Sequence, residues 1–100
     1  MKTCFEWDAA KAAANLRKHG VSFQTAALVF ADPYARVLQD RIENGEARWL
    51  AIGAVDGQLI LIVAHTIRER EDGDEIIRII SARRANRGER RSYEEENGEL

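Results

Sequence analysis

The twenty residues ARWLAIGAVDGQLILIVAHT, 47–66, constrain the fold of this chain more than any other stretch. Two apolar runs flank Asp56-Gly57, a two-residue turn signal that suits the twist of an antiparallel hairpin. The second run, QLILIVAHT at 58–66, is apolar on both faces and therefore belongs in the middle of a sheet. A chain of 100 residues can surround such a strand with one core, so residues 1–100 are read as a single domain. Its 45% hydrophobic and 32% charged residues are the balance of a globular domain and not of a disordered one.

Around that hairpin the remaining elements follow from local signals. CFEW (4–7) reads as a short first strand, on which Cys4 is a small, half-buried residue without an internal disulfide partner. Asp8 caps a helix over about 9–19, which Gly20 ends. Helical spacing sets Ala9, Ala12, Ala13 and Leu16 on one face, Lys11, Asn15 and Lys18 on the opposite one, and His19 at the seam. Ser22 caps a second helix carrying Phe23, Ala26, Ala27 and Phe30, stopped at Asp32-Pro33, so the two short helices form a hairpin. YARVLQD (34–40) is a strand, RIENGE a polar loop, REREDGDE a charged turn and EIIRIIS (75–81) the last strand. From Ser81 a C-terminal helix is expected through about residue 95. The order β-α-α-β-β-β-β-α describes an α+β domain with a largely antiparallel sheet.

Charge is distributed unevenly along this chain. The formal net charge is −2, yet six arginines stand between Arg78 and Arg91, followed by four glutamates at 94–99. Twelve of the fifteen cations are arginine, which favours bidentate recognition of phosphate or carboxylate over diffuse attraction. On the expected C-terminal helix, Arg83, Arg84, Arg87, Arg90 and Arg91 form one stripe, opposite a thin apolar side of Ala82, Ala85 and Tyr93. Like charges at i and i+4 destabilise a helix by about 0.2–0.5 kcal/mol per pair, so the stripe is either a solvated face or a surface for RNA or an acidic partner. Pairs of Arg90 with Glu94 and Arg91 with Glu95 offer partial neutralisation. Lys11, Asn15, Arg84, Arg87, Arg90, Arg91 and Tyr93 are the candidates for RNA or partner contact, with packing as the alternative for Tyr93.

Arg78 differs from the helix arginines because it lies inside IIRII, on the strand face of Ile76 and Ile80. It needs a carboxylate or an opening onto a polar cleft, since an unpaired buried arginine costs several kcal/mol. No metal-ligand spacing, nucleophile elbow or glycine-rich phosphate loop occurs, so no cofactor or metal is expected. RNA cleavage needs neither, because the 2′-hydroxyl is an internal nucleophile; it needs a proton acceptor, a proton donor and cations over the phosphate. Lys18, His19, Arg68, Arg78 and Arg83 are of those types. A helix-end role is equally open to His19, and His65 is either a core or a cleft histidine. Trp7, Trp49, Phe5, Phe23 and Phe30 read as core, Glu46 and Arg48 as surface or paired residues. The N-terminus lacks a signal-peptide apolar region, and LILIVA at 59–64 is too short to span a bilayer, so a cytoplasmic protein without membrane contact is expected.

FEWDAAKAAANLRKHGVSFQTAALVFADP (5–33), GEARWLAIG (45–53), HTIRE (65–69) and RIISARRANRGERRSYE (78–94) together resemble the BrnT family of toxins, over nearly the whole chain and in the family's order. The resemblance implies a RelE-like, metal-independent ribonuclease that halts translation. It implies a BrnA-like antitoxin with a ribbon-helix-helix part, through which operator DNA is contacted indirectly, and a toxin-antitoxin heterotetramer. Its matching polar positions are Lys18, His19, Arg68, Arg78 and Arg83. Gln24-Thr25 departs from the acidic residues frequent there, and the terminal EEENGEL is an unusually acidic end that could shield the arginines or frame the antitoxin contact. Two other readings remain: a non-enzymatic regulatory domain binding nucleic acid through the arginine helix, and a module that binds only a protein partner.

Overall fold

The hairpin of residues 47–66 forms the middle of a five-stranded sheet in the computed structural model, which describes residues 2–96. The elements are β1 (Thr3–Glu6), α1 (Ala9–His19), α2 (Phe23–Ala27) continued by a 3-10 turn (Leu28–Ala31), β2 (Arg36–Glu43), β3 (Glu46–Val55), β4 (Leu59–Glu69), β5 (Glu75–Arg84) and α3 (Arg87–Glu96). Strand order is β1-β5-β4-β3-β2, with β1 parallel to β5 and every other pair antiparallel. The fold is thus α+β with a mixed sheet, and β4 is central, as its doubly apolar sequence requires. Asp56 (φ 56°) and Gly57 (φ 72°) take the left-handed conformations of the turn.

Both sheet faces are covered, but unequally. Phe23, Val29, Ala51, Leu61, Val63, Ile77 and Ile79 form the larger core beneath α1 and α2. On the opposite face Ile52, Ile60 and Ile62 pack with Tyr93 of α3. Gly53 lets the 3-10 turn approach β3, since a Cβ there would stand 2.8 Å from Val29 Cγ1.

Three local expectations are corrected. The segment 41–46 is no open loop: β2 runs to Glu43 and turns at Asn44-Gly45, where both residues have positive φ, into β3. A bulge between Gln39 and Arg41 adjusts the register. Ser81 caps no helix, because β5 continues to Arg84, with Ala82 opposite Val63, Arg83 opposite Ile62 and Arg84 opposite Leu61. Pairing with the central strand outweighs local helical preference there. Helix α3 begins after Asn86, whose side chain accepts from Glu89 N–H at 2.8 Å while Glu89 accepts from Asn86 N–H at 2.9 Å, a reciprocal capping box.

The third correction concerns α1. Its caps are as expected: Asp8 accepts from Lys11 N–H, and Gly20 (φ 71°) donates to Leu16 carbonyl. Its buried face is not. Leu16 is 51% exposed, Ala9 and Ala13 are exposed, and Asn15, expected outward, is buried. The Asn15 amide donates to Ala82 carbonyl at 2.8 Å and Val21 carbonyl at 2.9 Å, and its oxygen accepts from Ala82 N–H at 3.1 Å. Asn15 therefore cannot serve as a surface contact for RNA or a partner. Asn15→Ala would strand several buried backbone groups and should destabilise the protein by about 3 kcal/mol in urea unfolding. Leu16→Lys should change stability by less than about 0.5 kcal/mol; the reverse ranking would refute this packing.

Candidate active site

The parallel pairing of β1 with β5 sets Glu6 opposite Arg78, and the β4–β5 pairing sets Thr66 opposite Arg78 and Arg68 opposite Ile76. Paired residues rise from the same sheet face, so Glu6, Arg68 and Arg78 share the part of the α3 face that α3 leaves open. Arg68 grips Glu6 with two donors, Nη1 to Oε2 at 2.8 Å and Nη2 to Oε1 at 3.4 Å. Arg78 Nη1 donates to the same Oε2 at 3.2 Å. Arg78 thus finds the carboxylate that its place in IIRII demanded. The Arg68 hydrogen bond, helped by Arg78 and opposed by burial, holds the Glu6 carboxyl below its ordinary pKa. All three side chains keep contact with solvent, Arg68 at 54%, Arg78 at 43% and Glu6 at 33% exposure. An open hollow of about 670 Å³ borders the cluster, lined by Arg68, Ile76 and the charged turn at 69–72.

Lys18 and His19 stand apart from this cluster. With Lys11, Ala14, Asn15, Ile80 and Ser81 they line a shallow hollow of about 210 Å³ at the β5 edge. Ile80 is two residues from Arg78, about 7 Å along the strand, at the irregularity where β5 has one more residue than β4 between Ile79 and Ser81. The hollow beside Arg68 meets β5 at Ile76, four residues or about 13 Å along the strand from Ile80, so the two hollows are separate, and among the described residues no hydrogen bond joins Lys18 or His19 to Arg68 or Arg78.

Arg83 does not join them. Its two terminal nitrogens each meet a Glu89 oxygen at 2.9 Å, and Nη1 also reaches Arg84 carbonyl at 3.3 Å. That bidentate grip, with the Asn86 N–H bond, lowers the Glu89 pKa to about 2. The expected arginine stripe dissolves as well: Arg83 and Arg84 are consecutive strand residues on opposite faces, and only Arg87, Arg90 and Arg91 are helical. These three and Arg84 are exposed, as is Lys11. The expected Arg90–Glu94 and Arg91–Glu95 pairs do not form; among the described residues Glu96 approaches Arg36 instead, at 3.9 Å. The end of the acidic tail, residues 97–100, lies outside the described residues.

Tyr93 is a packing residue, 3% exposed, and so unsuited to base stacking. Its hydroxyl donates to Asp32 Oδ2 at 2.6 Å, and burial together with that carboxylate raises its pKa to about 12. Asp32 also accepts from Ala54 and Tyr34 N–H; burial pushes its carboxyl up, but these hydrogen bonds prevail and leave it lowered. His65 is a core histidine, fully buried edge-on to Phe30 with ring centroids 4.8 Å apart. Burial lowers its pKa, against the Nδ1 contact with Val63 carbonyl at 3.1 Å. Arg48 pairs with Glu43 at 3.2 Å, and Glu43 also with Arg41 at 3.3 Å. Glu6 and Asp32 were not singled out in the sequence; the need of Arg78 for a carboxylate was its only trace of Glu6.

The sequence model of the family described as "Ribonuclease toxin, BrnT, of type II toxin-antitoxin system" matches residues 7–89. The crystal structure of the Brucella abortus ribonuclease toxin BrnT is similar, with a TM-score of 0.63 and 28% identity over 87% of this chain and 99% of that one. No curated protein matches the chain.

The Arg83–Glu89 pair makes stability depend on acid. Because folding lowers the Glu89 pKa from 4.5 to about 2, its contribution is complete above pH 4.5 and is lost as pH falls towards 2. Glu89→Gln should flatten the decline of unfolding free energy across that window; an unchanged slope would mean that Glu89 titrates normally.

Proposed function

Because the chain belongs to the BrnT family of ribonuclease toxins of type II toxin-antitoxin systems, we propose that residues 1–100 form one toxin domain that cleaves RNA internally without a metal and so inhibits translation. The observation that carries this reading is the convergence of Arg68 and Arg78 on an open part of the sheet, with guanidinium donors to spare. When the 2′-hydroxyl attacks the adjacent phosphate, negative charge grows on the phosphoryl oxygens, and fixed guanidiniums bind that charge more strongly than the ground state. Lys18 and His19, from the separate hollow at the β5 edge, are the side chains proposed to move protons to and from the sugar oxygens. Arg83 takes a supporting role, since Glu89 occupies its fork.

A type II system implies an antitoxin partner. We assign that role to a BrnA-like ribbon-helix-helix protein, which would contact operator DNA on behalf of the pair and assemble with the toxin as a heterotetramer in the cytoplasm. The exposed Arg84, Arg87, Arg90 and Arg91, with Lys11, suit an acidic segment of such a partner or the RNA backbone. No helix among the described residues is long and apolar enough to cross a membrane. The non-enzymatic reading rests on fewer helical arginines than expected, Arg87, Arg90 and Arg91, because Arg83 and Arg84 belong to β5 and Glu89 occupies Arg83.

Purified protein should cut RNA in EDTA and leave 2′,3′-cyclic phosphate or 3′-phosphate ends. Arg78→Ala should lower the rate by about 100-fold or more while preserving the circular dichroism spectrum. RNA that stays intact but binds in a salt-dependent way would support the non-enzymatic reading instead.

A further inference from the structure

Set apart from the adjoining turn, where Glu69, Glu71 and Asp72 outnumber Arg70, the Glu6 cluster itself holds two guanidiniums and one carboxylate, and so one net positive charge. A phosphodiester carries one negative charge and would neutralise it. Each guanidinium has five N–H donors; Arg68 directs two at Glu6 and Arg78 one, which leaves most of them free. The shared Oε2 atom fixes where the two forks stand relative to each other, a constraint that two long, mobile side chains would otherwise lack.

Two other roles for Glu6 fit less well. A purely structural ion pair would contribute little, because exposed pairs are screened by solvent, and all three side chains here are about a third exposed or more. A general base works best with a pKa near the working pH, and two flanking arginines move Glu6 in the opposite direction.

We propose that Glu6 is a positioning residue for RNA cleavage: its carboxylate holds Arg68 and Arg78 side by side as a two-pronged receptor for one phosphodiester and exchanges no proton with the substrate. This rests on the ribonuclease reading above. It has an unusual consequence, in that removing the carboxylate releases both guanidiniums and raises the local charge, so RNA should be held more tightly and cut more slowly.

The test is steady-state cleavage of an oligoribonucleotide by the full chain, alongside binding of the same sequence with uncleavable 2′-O-methyl riboses at several salt concentrations. Glu6→Gln should lower kcat by about tenfold or more through misplacement of the forks. Its KM should be unchanged or lower, and binding should depend more steeply on salt, by up to about 0.7 in log-log slope for one added phosphate contact. Glu6→Asp, which keeps the charge with a shorter reach, should bind like wild type and show an intermediate kcat. A Glu6→Gln protein with wild-type kcat, with raised KM, or unable to fold would overturn the proposal. If wild-type protein cuts no RNA, the ribonuclease reading fails; the binding arm still decides, and a Glu6→Gln slope no steeper than wild type then sinks the receptor itself.

Discussion

One side chain stands in for a missing strand. Strand β1 pairs with β5 only as far as Arg78, and beyond that point the outer edge of β5 would present bare backbone groups. Asn15 from α1 accepts from the N–H and donates to the carbonyl of Ala82, as a neighbouring strand would, and also binds Val21 carbonyl beyond the helix. An unpaired buried amide costs about 1–3 kcal/mol, so this contact decides which face of α1 turns inward. It outweighs the burial of Leu16. With α1 fixed in this way, Lys18 and His19 come to lie at the β5 edge, next to the strand that carries Arg78.

Helix α3 has a similar dependence on polar contacts. Its apolar contribution to the second core is Tyr93, helped by Ala85 just before the helix, which is little for an element of ten residues. Its start is held by the Asn86–Glu89 box and by Arg83, and its far end by the Tyr93 hydroxyl on Asp32. Asp32 in turn binds Ala54 N–H of β3 and Tyr34 N–H, so a single carboxylate ties the 3-10 turn, the sheet and α3 together. The helix therefore covers one end of its sheet face and leaves the other to the Glu6 cluster.

Much of this was legible in the sequence, for identifiable reasons. The Asp56-Gly57 hairpin, the central place of β4 and the caps of α1 and α2 depend on residues close together in the chain, whose backbone preferences act locally. The capping box at Asn86 is a local signal that the choice of Ser81 passed over, since Ser81 has no acidic residue three positions on whereas Asn86 has Glu89. The inward turn of Asn15 and the meeting of Glu6 with Arg78 were not legible. They span sequence separations of 67 and 72 residues, and only the parallel placement of β1 brings the second pair into register. A helical wheel ranks faces by hydrophobicity and is blind to a polar side chain that must complete a sheet edge.

The contrast between these two long-range contacts bears on how the protein divides stability from chemistry. Asn15 is 7% exposed, so its hydrogen bonds compete with no water and should contribute close to their full value. Glu6 and its arginines are far more open, and ion pairs at such exposure add about 1 kcal/mol at most. The same exposure that makes the cluster a poor staple lets an anion from solvent reach the free N–H groups of Arg68 and Arg78. A net charge of −2 is compatible with this arrangement because the working charge is local: the field near a phosphate is set by the nearest guanidiniums against the carboxylates of Glu69, Glu71 and Asp72 in the adjoining turn, while charges beyond about 8–10 Å are screened at physiological salt.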